Sequence, residues 1–452
     1  MLKATKIFVS ISIFAILLFG IYVIAPAAEI TEVELDNGLK ILTIEDHSVP
    51  LAAVRVCYHV GIKNECPGVT GITSMCEMIM QEGTKKFKKG ELSKIVQAGG
   101  GVSSSYTDWD VTHFYTKIPL DMLDTVLLLE ADRMANVFIT PEKLLLAKDI
   151  VRKRRLEAVE SSLYGYINEE FINLAYGAHP YGHNIYGWPG DIDRINQDDV
   201  KEHLKKYFQP ANALLIIAGA INPDSAIARA GELFGNINSI PLTDRRPISD
   251  PVQIGERRST IEGDVGIPVV LIGYHIPPVT HPDNPALRLI SNILSTGVSS
   301  RIYQRMVNDE KSGLYSAGGL IEPEGPGLIY SYTIFNYDSP IDVGEEHMLG
   351  EIDRLTNEYV SEAELERARN RAVVDFYKGS RTLDFRTAVV GTYGLITGDA
   401  HFTKKRVKAL YSITPDDIKK TARKYLHKSN RIIVSISPPV VDESVEPGGD
   451  YE

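Results

Sequence analysis

The chain has 452 residues, of which 44% are hydrophobic and 24% charged, an ordinary globular composition with length for two or three domains. A formal charge of -11 argues against nucleic acid or another polyanion as a partner. Three cysteines, Cys57, Cys66 and Cys76, are too few for a disulfide scaffold, although Cys57 and Cys66 could pair.

Residues 1–28 read as a signal peptide: Lys3 and Lys6, an apolar run from Ile7 to Ala25, then Ala25-Pro26-Ala27 as a cleavage site. An exported, periplasmic chain follows, with no stable membrane association after cleavage. The competing reading is an uncleaved anchor, because the run can cross a hydrocarbon layer of about 30 Å. Ser10, Ser12 and the small-residue end favour cleavage, which removes two lysines and takes the charge to about -13.

Further along, Asp36-Asn37-Gly38 between two alternating apolar runs is a strong hairpin signal. Leu51 to Val60 reads as a buried strand. Thr140 before Pro141 supplies an N-cap and an N1 proline, and Val159, Leu163, Ile167, Phe171 and Leu174 keep helical spacing up to Gly177, which predicts one long amphipathic helix.

The chain repeats itself. Pro119-Leu-Asp121 followed by Glu130-Ala-Asp132-Arg133-Met-Ala-Asn136 recurs as Pro340-Ile-Asp342 followed by Glu351-Ile-Asp353-Arg354-Leu-Thr-Asn357. Asp198-Asp199-Val200, Tyr207 and Asn212 recur as Asp416-Asp417-Ile418, Tyr425 and Asn430, and Tyr58-His59-Val60 recurs as Tyr274-His275-Ile276. The order is conserved between the halves, so two copies of one domain are expected. The boundaries are a first domain over 29–235, a linker over 236–260, a second domain over 261–440 and an acidic tail over 441–452. Hairpins combined with long helices predict an α+β fold: two tandem homologous domains, each a mostly antiparallel sheet with helices packed on one face.

The chemistry should sit on Gly71-Ile-Thr-Ser74-Met75-Cys76-Glu77-Met78-Ile79-Met80-Gln81-Glu82-Gly83-Thr84. This segment resembles the inverted zinc motif His-x-x-Glu-His of the insulinase/pitrilysin peptidases, the inverzincin group that includes mitochondrial-processing-peptidase-like chains. There, two histidines bind zinc and the glutamate activates the metal-bound water. In this chain the histidine positions are Ser74 and Met78, and the base position is still Glu77. Gly100-Gly101 with Thr107 and Asp110 is similar to the family's substrate strand, with Ser104-Ser105 in place of its usual Asn-Ala. His179-Pro180-Tyr181 with Gly187-Trp188, and Gly297-Val-Ser-Ser300-Arg301-Ile-Tyr303-Gln304 with Gly313-Leu314-Tyr315, extend the resemblance over nearly the whole mature chain.

The family's third ligand is a glutamate on the long helix, and counting from Met78 arrives at Arg154. A hydroxyl, a thioether and a guanidinium are a poor zinc set. The resemblance also implies an Arg–Tyr pair for the substrate carbonyl, which reads Asn308 and Tyr315 here, with Arg305 able to reach the same space. The implied site is therefore Glu77 as a retained but inactive base, Ser104, Ser105 and Tyr315 for substrate, and no metal.

Plainer readings stand beside these. Glu77 can be a hydrogen-bonded remnant. Met75, Cys76, Met78 and Met80 suit core packing better than copper. Arg152 to Arg155 reads as a solvated face, His179-Pro180-Tyr181 as a structural turn, and His59 and His275 as sharing one structural role.

The resemblance implies a non-catalytic subunit of a peptidase assembly, inactive alone, paired as a heterodimer with a zinc-bearing homologue and touching peptide or unfolded polypeptide, with no cofactor of its own. The rivals are an active zinc metallopeptidase with an atypical site, and a free-standing module that adds a peptide to a sheet edge.

Overall fold

The computed structural model describes residues 30–242, 250–262 and 267–437. The signal segment, the whole acidic tail and the middle of the linker lie outside them. Gly38, at φ 82°, reverses the chain between β1 (Ile30–Glu34) and β2 (Lys40–Glu45), with Glu34 opposite Lys40. The Asn37 amide then fastens this turn to the Phe234 and Ile237 carbonyls at 2.8 and 3.1 Å.

The remaining strands are β3 (Leu51–Tyr58), β4 (Val102–Thr107), β5 (Thr112–Pro119) and β6 (Ala213–Gly219), then β7 (Arg257–Glu262), β8 (Val269–Ile276), β9 (Gly313–Ile321), β10 (Gly327–Phe335) and β11 (Arg431–Ser437). They form two sheets, ordered β1-β2-β6-β3-β5-β4 and β7-β11-β8-β10-β9. Only the β2–β6 and β7–β11 pairings are parallel among those described. β7 starts inside the stretch whose composition marks a linker.

The sequence repeat is a structural repeat. Asn212 donates its side-chain amide to the His59 and Tyr207 carbonyls, and Asn430 does the same for His275 and Tyr425, each pair joining a strand end to a helix end. Glu130–Arg133 and Glu351–Arg354 are matching ion pairs at 2.9 and 3.0 Å.

One face of the first sheet packs on the helix Ile72–Gln81, with Met75, Cys76, Ile79 and Met80 buried beside Val54, Val56 and Tyr58. The motif's sulfur side chains are core. The opposite faces are covered by exchange between the halves. Helix Leu163–Ala175 of the first half buries Ile167, Phe171, Ile172 and Ala175 against Val269, Leu271, Ile432 and Val434 of the second sheet. Helix Leu383–Thr397 of the second half packs Leu383, Val390 and Leu395 on Leu42, Cys57, Leu214 and Ile216 of the first. All three cysteines are free thiols, and burial pushes Cys57 up to about 12.

Two expectations need correction. The single long helix is broken: helix Pro141–Arg155 ends in a π-turn over Leu156–Glu160, and a new helix starts at Leu163 behind an N-cap in which Ser162 accepts from the Gly165 amide at 3.1 Å. The Ala158 carbonyl occupies the space a side chain on Gly165 would need, so glycine permits the tight break. The run Arg152 to Arg155 is also no uniform solvated face. Arg155 is 5% exposed, bonding Glu169 at 2.7 and 2.8 Å and the Gly187 carbonyl at 2.8 Å.

Candidate functional site

The helix Ile72–Gln81 begins at Gly71, in the left-handed region at φ 86°, and a glycine cannot cap with a side chain. Glu65 does so from upstream. Its buried carboxylate accepts from the Gly71 amide at 2.6 Å and the Thr73 amide at 2.9 Å, with His183 3.6 Å away. Burial raises the Glu65 pKa, opposed by His183 and these two amides. The turn through Tyr186 and Gly187 lies on the same helix start. A Cβ on Gly71 would meet the Tyr186 carbonyl, and one on Gly187 would meet that of Thr70, so both positions accept only glycine. Trp188 donates its amide to Thr70 Oγ1 at 2.9 Å, and Arg155 holds the Gly187 carbonyl.

Glu77, one turn into this helix, is 1% exposed. Its Oε1 accepts from Ser105 at 2.6 Å and from Gln81 at 3.3 Å, and its Oε2 accepts from Thr107 at 2.8 Å. Gln81 also donates to Ser105. Burial raises the Glu77 pKa, while Ser105, Thr107 and the Arg154 charge pull it down. Arg154 Nη1 stands 3.9 Å from Glu77 Oε1, with its side chain 40% exposed. Tyr186 feels both charges, and burial raises its phenol.

The structure thus brings Ser105, Glu77 and Arg154 together, and places Ser74 and Met78 on the same helix, both buried. Ser104 is adjacent in β4 but, by strand alternation, on the opposite face from Ser105. Tyr315 belongs to the other sheet. It is 48% exposed on β9, its ring packed near Tyr303 and Tyr332 at centroid distances of 6.3 and 6.2 Å. Arg305 is held by Glu310 at 2.8 Å. Glu65, Gln81 and Tyr186 escaped sequence reasoning. The one available signal was Gln81, four residues after Glu77 and so on the same helix face.

These residues do not fit zinc. A zinc site needs three nitrogen, sulfur or carboxylate donors. The Ser74 hydroxyl is instead committed to the Ile185 carbonyl at 2.6 Å, Met78 offers a neutral thioether in a packed core, and the third position carries a cation. Among the described residues no three His, Cys, Asp or Glu side chains are grouped to hold a metal.

Comparison with known proteins places the fold among its relatives. The chain is 25% identical over 415 residues to the zinc protease PqqE of Helicobacter pylori, covering 90% of this chain and 92% of that one. It is 22% identical to a probable mitochondrial-processing peptidase subunit beta of Arabidopsis thaliana, covering 92% and 79%. The crystal structure of a protease from Helicobacter pylori shares the fold with a TM-score of 0.85 at 24% identity, covering 91% of this chain and all of that one. Residues 40–187 match the model of the insulinase family, peptidase family M16, and residues 194–372 match that of the peptidase M16 inactive domain. With both halves of the repeat matched, the chain belongs to the insulinase (M16) family.

Proposed function

We propose that this chain is a non-catalytic, peptide-binding subunit of an exported metallopeptidase assembly, working in the periplasm as a heterodimer with a zinc-bearing relative of the same fold. The observation that carries the reading is the set Ser74, Met78 and Arg154 around Glu77. Without a metal-bound water, Glu77 has nothing to activate, and its oxygens are taken up by Ser105, Gln81 and Thr107. The glycines that bring the helix start and the Tyr186–Gly187 turn into contact are nevertheless kept. Shape has outlasted chemistry. The Arabidopsis relative is itself named as a subunit, which supports the pairing.

A free-standing peptide binder is the second reading, favoured by β4, which among the described residues pairs only with β5 and leaves its other edge open with Val102, Ser103 and Ser104 exposed. The deciding experiment measures zinc and activity together. The purified chain should hold well under one zinc per molecule and cleave nothing alone, whereas peptidase activity should appear when a zinc-bearing relative from the same cell is added and a heterodimer burying at least about 1,000 Å² forms. Stoichiometric, chelator-sensitive zinc with activity in the chain alone would revive the atypical peptidase. Peptide binding without any partner would favour the free-standing module.

A further inference from the structure

Arg154 is partnered differently from its neighbours in the basic run. Arg152 bonds Asp149 at 2.9 Å and Asp193 at 2.5 Å, Lys153 lies 3.7 Å from Glu157, and Arg155 is buried in its bidentate pair with Glu169. Arg154 makes no hydrogen bond among the described residues. Its nearest carboxylate oxygen, on Glu77, is 3.9 Å away and already accepts from Ser105. A guanidinium carries five N–H donors in a planar fork that matches a carboxylate, and it stays charged at any physiological pH. Here that fork is 40% exposed.

The second observation is what lies beside it. Ser105, which bonds Glu77, belongs to β4, and the outer edge of β4 pairs with no other strand among the described residues. An extended peptide can add to such an edge as a further strand. A metal at this position would polarise a peptide carbonyl in mid-chain. A fixed cation with free donors recognises an anion instead, and the anion every peptide carries is its terminal carboxylate.

We propose that Arg154 is a carboxylate receptor, so that the chain selects peptides that present a carboxylate beside the β4 edge, foremost the C-terminal end of a peptide already cut. This rests on the peptide-binding reading above and names its ligand class. An aspartate or glutamate side chain of the peptide offers the same chemistry.

The test uses the full mature chain and one short labelled peptide of alternating valine and serine in three forms: free C-terminal acid, C-terminal amide, and amide with a penultimate aspartate. Fluorescence anisotropy should find the free acid bound about tenfold more tightly than the amide. That preference should vanish in Arg154→Gln and survive in part in Arg154→Lys, which keeps the charge and loses the fork. Tight binding of the aspartate form as well would identify the side chain as a second source of the carboxylate. Acid and amide bound equally well would overturn the receptor and leave peptide binding intact, whereas no binding by any form would overturn both. Circular dichroism of the two variants, at a position with no hydrogen bond to lose, separates lost recognition from lost folding.

Discussion

The ring of Phe171, on a helix of the first half, rests directly on the backbone of Gly273 in β8 of the second, where a Cβ would overlap it. The repeat reverses the sizes. At the equivalent place in the first sheet stands Cys57, and the helix of the second half meets it with Gly391, whose Cβ would overlap the Cys57 sulfur. Large on small faces small on large. Adding a methyl at either glycine should therefore cost about 1–3 kcal/mol through overpacking. Gly273→Ala and Gly391→Ala should both lower the midpoint of denaturant unfolding, and an unchanged midpoint in either would show that the helix is free to move away.

Burial holds the Glu77 carboxyl above its ordinary 4.5, against the pull of Ser105, Thr107 and Arg154. The folded chain keeps this proton to higher pH than the unfolded chain does, so the contribution of Glu77 to stability falls as pH rises from about 4.5 through the raised value. Glu77→Gln keeps a neutral group there and should lose that slope. Relative to the unsubstituted chain, the variant should gain thermal stability steadily as pH rises through this window. A difference running the other way would mean that the folded state favours the carboxylate.

Arg155→Ala leaves Glu169 buried without its cation and frees the Gly187 carbonyl. The expected loss is about 3–5 kcal/mol. Removing Glu169 as well should recover part of it, and additive losses in the double variant would show that the pair is not coupled.

Restoring the family's donors should restore metal. With Ser74→His, Met78→His and Arg154→Glu introduced together, the chain should bind close to one chelator-sensitive zinc per molecule by elemental analysis. Failure of the triple variant to bind zinc would show that the helix spacing, and not only the side chains, has departed from a metal site.

How far the sequence carried depended on whether a feature is local or brought about by folding. The hairpin at Asn37-Gly38 and the helix start at Thr140 and Pro141 are local, and both are where the residues imply. The duplicated Asn212 and Asn430 were visible as letters, yet their shared task, bridging a strand end to a helix end, needed coordinates. The apolar spacing continues across the break and so implies one long helix, while the cause of the break, Gly165 against the Ala158 carbonyl, is a contact between turns. At the site, the count that arrived at Arg154 could not say whom it faces, and Ser104 and Ser105 differ only in which side of β4 they occupy. Glu65 was invisible because it caps a helix from outside the motif. The exchanged helices left no trace in either half read alone.

Glu65 has one more consequence. In small metal-dependent domains the ion is part of the fold, and stripping it lets the ligand-bearing segments come apart. Here the first turn of the helix Ile72–Gln81 is tied down by a carboxylate from its own chain and by the backbone of the Tyr186–Gly187 turn. Its architecture is therefore complete as soon as the polypeptide has folded. The start of this helix is held by the polypeptide itself, through contacts that would survive the stripping of any metal ion.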